Sequence, residues 1–315
     1  AGKKLVRSYG KAEGLPDGVS WVEYFDLDRL VGIGVDTSPR LGHRVLEETD
    51  DYIVEFNSWG VTTKNFKRTT STPQDIAFTI HDRESWARAK ERLTPTDDRI
   101  DWAHLKAHYA AMRAQQLWIS AGAWFGYDIV NARMVGTENL LLGMADDPDW
   151  VRDMLDTLCD LALTLFDRVW DAGYTFDEIQ WPDDMGYRNG LLFSKAMWAA
   201  LVRPHQPRTI DWAHAKGIKA QIHSCGNIMA LVPELVELGL DALNPLEIKA
   251  GMDPVGIKRR FEDFKTVTRD LTLSAHTMDA RTIRRAAGEC LKRIDLTRRL
   301  RLLGARPAQP LARDG

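Results

Sequence analysis

The sequence predicts an α/β fold, a (β/α)8 TIM-type barrel in a single domain, and three observations carry that expectation. Short apolar runs alternate with amphipathic helical stretches from Leu117 onward, the rhythm of parallel βαβ units. The runs end in polar or charged residues, as they do where a barrel presents its reactive rim. A Gly-rich dinucleotide fingerprint, which would favour an open doubly wound sheet, is absent. Gly32-Ile33-Gly34 comes nearest, lacks the third glycine and is followed by Pro39.

The elements follow in order. Residues up to Trp21-Val22-Glu23-Tyr24-Phe25 read as loops and short helices. Asp51–Phe56 and Val61–Phe66 are rich in β-formers and flank Asn57-Ser58-Trp59-Gly60, a hairpin signal. Residues 18–70 therefore read as a loop and hairpin elaboration. Asp82–Arg92 is a helix stopped at Thr94-Pro95. Leu117–Ala121 is a strand ending at Gly122. Asp149–Ala172 carries Val151, Met154, Leu155, Leu158, Leu161, Leu165 and Val169 at helical spacing. Asp146-Asp147-Pro148 caps it and Gly173 ends it. Phe176–Trp181 is the next strand. Ser194–Lys216 is a helix kinked or divided at Pro204 and Pro207. Ile218–His223 is a strand, Met229–Leu238 a helix and Ala242–Leu246 a short strand. Lys265–Ser274 and Arg281–Arg293 read as a further strand and helix. Residues 298–315 form an Arg/Pro-rich tail. There is no internal repeat and no low-complexity block.

Composition excludes several classes. The 315 residues are 44% hydrophobic and 28% charged, with net charge −3 and pI about 6.3, so overall charge suggests neither a nucleic acid nor an anionic membrane as partner. No apolar run is long enough to span a bilayer, and no apolar stretch follows basic Lys3-Lys4 as in a signal peptide. Cys159, Cys225 and Cys290 are too few and odd in number for a disulfide framework, so a cytoplasmic location is expected. Cys159 and Cys290 lie inside helical runs and read as core. Most of the 11 Trp read as core, but Trp59, Trp124 and Trp181 sit near turns where a pocket can form.

Chemistry concentrates at the strand ends. In Ile222-His223-Ser224-Cys225-Gly226-Asn227, side chains two apart on a strand tip point the same way, so an imidazole and a thiol converge. They read either as a zinc ligand pair or as a buried Cys beside a hydrogen-bonded His. Glu247, after the next strand, is the expected third metal ligand, completing an N/S/O set. Asp183 and Asp184, one strand earlier, are candidates for binding substrate or orienting a ligating imidazole, with one of them expected in a turn or cap role. His276 reads as a fourth ligand, a general acid/base or a rim histidine. Trp124, Arg133, Glu138, Trp181, Asn244 and Asp279 are the candidate substrate contacts, with an Arg133–Glu138 surface ion pair as the alternative for that pair.

The segments Asp183-Asp184-Met185-Gly186, His214-Ala215-Lys216-Gly217, His223-Ser224-Cys225-Gly226-Asn227, Leu238-Gly239-Leu240-Asp241 and Asn244-Pro245-Leu246-Glu247 resemble the uroporphyrinogen decarboxylase superfamily. Within it the chain looks most like the zinc-dependent, cobalamin-linked methyltransferase branch, from about Val19 onward. The resemblance implies a barrel with its site at the C-terminal mouth, and zinc on His223, Cys225 and Glu247. It also implies methyl transfer between a methylated corrinoid or small molecule and a thiol or corrinoid acceptor. The implied partners are a small-molecule substrate, a corrinoid protein and a second copy of the chain. Two departures stand out. The family's final zinc cysteine would fall in the Arg/Pro tail, which has none, and the first barrel strand, expected before Val19, is not evident in Lys3–Gly14. Both predict a barrel incomplete at its ends, with a tail altered by a frame shift or cloning remnant. The alternatives are decarboxylation of a tetrapyrrole, for which the Arg-rich N-terminal motif is missing, and a degenerate barrel that only binds ligand.

Overall fold

The computed structural model describes residues 19–20, 29–69 and 72–260, the last three without side chains. Strand β1 (Leu30–Gly34) is followed by four strands, β2 (Arg44–Glu48), β3 (Tyr52–Phe56), β4 (Val61–Phe66) and β5 (Gln74–Phe78). These four form an antiparallel meander in the order β2-β3-β4-β5. The expected hairpin is its centre, β3 against β4.

Next come helices α1 (Arg83–Lys90) and α2 (Trp102–Ala114), strand β6 (Trp118–Gly122), and helices α3 (Thr137–Asp146) and α4 (Pro148–Asp171). Strand β7 (Glu178–Pro182) precedes the two-residue pair β8 (Gly186–Tyr187) and β9 (Gly190–Leu191). Helix α5 (His205–Ala215), strand β10 (Lys219–His223), helix α6 (Val232–Glu237), strand β11 (Ala242–Asn244) and helix α7 (Pro254–Arg260) follow, with shorter helical turns between them.

The molecule is α/β, with a parallel sheet of five strands in the order β1-β6-β7-β10-β11. Spatial order follows chain order without reversal, so the described sheet has no topological switch point of the doubly wound kind. The central strands bury one face completely, which supplies their apolar residues: Ile119 and Ala121, Ile179 and Trp181, Ala220 and Ile222 are all fully buried. On α4, Val151, Met154, Leu155, Leu158, Cys159, Leu161, Ala162, Leu165, Phe166 and Val169 form one buried stripe. Asp147 accepts the Trp150 N–H at its start and Pro148 occupies its first turn.

Two expectations change. Leu30–Gly34, inside the span assigned to elaboration, is the first parallel strand among the described residues. Its glycines hid it, because Gly lowers the strand signal. The single helix over 194–216 is broken. Lys195–Met197 runs into a wide turn over Trp198–Val202, where the Arg203 N–H reaches back to the Trp198 carbonyl at 2.8 Å, and α5 begins after Pro204. Pro204 has no N–H to continue the ladder, whereas Pro207 lies in the first turn of α5, where none is needed. The expected strand over 265–274, the helix over 281–293 and Cys290 lie outside the described residues.

Candidate metal centre

The C-terminal ends of β6, β7, β10 and β11 meet on one side of the sheet. Register places His223 beside Pro182 on β7 and beside Asn244 on β11. The ladder continues past the strands, since the Asp183 N–H donates to the His223 carbonyl and the Ser224 N–H to the Asn244 carbonyl, each at 2.7 Å. The loops after three adjacent strands are thus held in register, and their side chains converge. Cys225 Sγ lies 3.4 Å from His223 Nε2, and Asp184 Oδ1 lies 3.8 Å from the same nitrogen. Donor atoms of Asp184, His223 and Cys225 all fall within 4.8 Å of one another.

Carboxylates fix the cysteine turn from both sides. Asp184 Oδ1 accepts the Cys225 N–H at 2.7 Å, and Glu247 Oε2 accepts the next amide, that of Gly226, at 2.9 Å. Gly226 has φ +77, and a Cβ there would stand 2.5 Å from the Gly186 carbonyl carbon, so turn and close approach both require glycine. His223 Nδ1 and Asn244 Oδ1 lie 2.6 Å apart, within hydrogen-bond distance.

The surroundings are acidic. Burial pushes the Cys225 thiol up to about 11, with the charges of Asp184 and Glu247 and a hydrogen bond with Glu247 adding to it. Asp128, in the one-turn helix Tyr127–Ile129 after β6, is pushed up to about 6, first by burial and then by the Asp184 and Asp183 charges; Arg133 and His223 pull the other way. An imidazole lone pair, a thiol and a carboxylate drawn together with two further acids nearby suit a divalent cation. Its charge would reverse the penalty on the thiol. The donor set is the borderline N/S/O combination that fits zinc.

The expected site residues are distributed as follows. His223 and Cys225 are together. The carboxylate whose oxygen lies within 4.8 Å of both their donor atoms is that of Asp184; Glu247 touches the same turn, accepting the Gly226 N–H and hydrogen-bonded with the Cys225 thiol. The two neighbouring acids divide as expected. Asp183 is wholly buried, accepting the Tyr127 N–H at 2.6 Å and a Gln206 Nε2–H at 2.8 Å, with His205 Nε2 at 3.5 Å. Asp183 therefore takes the turn role and neither contacts substrate nor acts as a catalytic acid: it braces the turn that carries Asp128. Trp181 is corrected too. It is fully buried and stacked on Phe125 at 5.7 Å, because its strand position faces the core. Trp124 is 43% exposed, with the Arg133 guanidinium 4.8 Å from its ring centroid. Glu138 is exposed in the first turn of α3 and forms no ion pair with Arg133 among the described residues. Asn244 is engaged with His223. His276 and Asp279 lie outside the described residues. Asp128 was missed; extending the strand-end reading to the loop after Gly122 would have found it.

Comparison with known proteins gives three findings. The profile of the impB/mucB/samB family C-terminal domain matches residues 240–307, less than a quarter of the chain. No curated protein matches. Among solved structures, a methyltransferase from Methanosarcina mazei is similar at 13% identity and a TM-score of 0.44, over 76% of this chain and 60% of that one. The chain thus spans less than two thirds of that structure's length. No helix of the described residues is long and apolar enough to cross a membrane.

Proposed function

We propose that the chain is an enzyme of the uroporphyrinogen decarboxylase superfamily and that its five parallel strands are an arc of a (β/α)8 barrel. Its activity in this reading is zinc-assisted methyl transfer between a methylated corrinoid or small molecule and a thiol or corrinoid acceptor. One observation carries the reading: Asp184, His223 and Cys225 converge from the C-terminal ends of neighbouring parallel strands. The unreversed strand order supports the barrel.

His223 Nε2, Cys225 Sγ and Asp184 would hold the metal, with Glu247 keeping the cysteine turn in place. Bound zinc would supply Lewis-acid stabilisation of a substrate thiolate, making it nucleophilic near neutral pH. Asp128, a buried carboxyl beside Asp184 and Asp183, is the group suited to take up the proton that an incoming thiol releases. Trp124 and Arg133, held together by a cation–π contact, would position the methyl donor or acceptor.

Metal analysis of the purified full chain tests this directly. The expected content is about one zinc per chain, lost in His223→Ala and Cys225→Ser. Loss of the methyl–cobalt absorbance of methylcobalamin in the presence of a thiol should depend on that zinc. A protein that takes up no zinc, or demethylates equally well without it, overturns the reading; release of coproporphyrinogen from uroporphyrinogen would assign decarboxylation instead.

A further inference from the structure

We infer that Asn244 is a positioning residue that locks the His223 ring in one tautomer and aims its free nitrogen at Cys225 and Asp184. Three observations carry this. Asn244 is the register partner of His223 in the parallel pair β10–β11, so the two side chains leave the sheet at the same level. The Ser224 N–H donates to the Asn244 carbonyl at 2.7 Å, which fixes the Asn244 backbone directly beside the histidine. The side-chain oxygen lies 2.6 Å from His223 Nδ1, while Nε2 lies 3.4 Å from Cys225 Sγ and 3.8 Å from Asp184.

An amide oxygen only accepts, so the neutral ring carries its proton on Nδ1 and leaves the Nε2 lone pair facing the cluster. Rotating the ring would break a short hydrogen bond and leave the amide oxygen without its partner. Asn244 therefore pre-organises the imidazole, as outer partners of ligating histidines do, and is not free to spend that oxygen on substrate. The metal-affinity arm of the test rests on the zinc reading given above; the tautomer arm does not.

Long-range ¹H–¹⁵N spectra of the metal-free full chain, labelled at histidine, test the inference, with the His223 signals identified by their loss in His223→Gln. Above the titration of the ring, the wild type should show the Nδ1–H tautomer. Asn244→Ala should give a mixture of tautomers and, by chelator competition, about 10- to 100-fold weaker binding of Zn²⁺ and Co²⁺. Asn244→Asp keeps an acceptor at Nδ1 and should retain both the tautomer and binding within a few-fold of wild type. An Nε2–H tautomer in the wild type overturns the inference. So does an Asn244→Ala protein with unchanged tautomer and affinity, or an Asn244→Asp protein that is folded by circular dichroism but has lost the tautomer. If the wild type binds neither metal, the zinc reading fails while the tautomer result still decides the role of Asn244.

Discussion

Asp128 and Cys225 show how burial among acids penalises the anionic form of two different groups. The thiol is held protonated, while the carboxylate is held near the point of protonation. For Asp128 the sign follows from linkage. Its folded value, about 6, lies above the ordinary 3.8. The folded state therefore binds the proton more tightly, and stability falls as pH rises from about 4 to 6. In the metal-free protein, Asp128→Asn should raise stability at pH 7 by up to about 3 kcal/mol and give little gain at pH 3.5. Urea unfolding at the two pH values checks this; an equal effect at both would refute the electrostatic account. The same reasoning explains why residue types alone did not single out Asp128. Its chemistry comes first from burial and then from the charges of Asp184 and Asp183, which lie more than fifty positions away in sequence.

At the level of elements, the site depends on two short connections. The turn after β10 is clamped by carboxylates from the loops after β7 and β11, and it touches the backbone of β8 where Gly226 meets Gly186. Gly226→Ala meets both a positive φ and a backbone 2.5 Å away. It should cost about 2–4 kcal/mol and displace Cys225 from His223. A lower thermal midpoint accompanied by loss of zinc binding is the expected outcome. An unchanged midpoint would mean that β8 yields easily. Helix α4 was legible throughout, because its cap, its Pro148 and its apolar stripe agree. Strand β1 and the outer strands β2 and β5 were not. Leu-Val-Gly-Ile-Gly at β1 carries no alternating pattern, and the burial patterns of β2 and β5 are almost wholly exposed, so hydrophobic periodicity had nothing to report.

For the whole molecule, a metal held by two adjacent strand ends, those of β7 and β10, binds the folded chain and not the unfolded one, so it should stabilise the entire sheet. At a hundredfold excess over the dissociation constant the linkage is about 2.7 kcal/mol. Chelation should therefore lower the thermal midpoint on the order of 5 °C. Differential scanning calorimetry with and without chelator checks this. The shift should vanish in His223→Ala and Cys225→Ser; a shift that persists in both would place the metal elsewhere.

The sequence by itself determined the α/β class, the positions of β6, β7, β10 and β11, and the convergence of His223 and Cys225. Local information is enough for these: apolar runs bounded by Gly and Pro mark buried strands, and a two-residue spacing puts two side chains on one face. Only the tertiary structure decided which oxygen joins them. Asp184 and Glu247 are equivalent in sequence, each two or three residues past a strand neighbouring β10. Strand register and the order of backbone amides in the Cys225–Gly226 turn give Asp184 the place beside the imidazole and give Glu247 the anchoring of the turn. It also took the fold to bury Trp181 and Asp183, to bring Asp128 to the cluster and to set Asn244 behind His223, because each depends on which strands lie side by side.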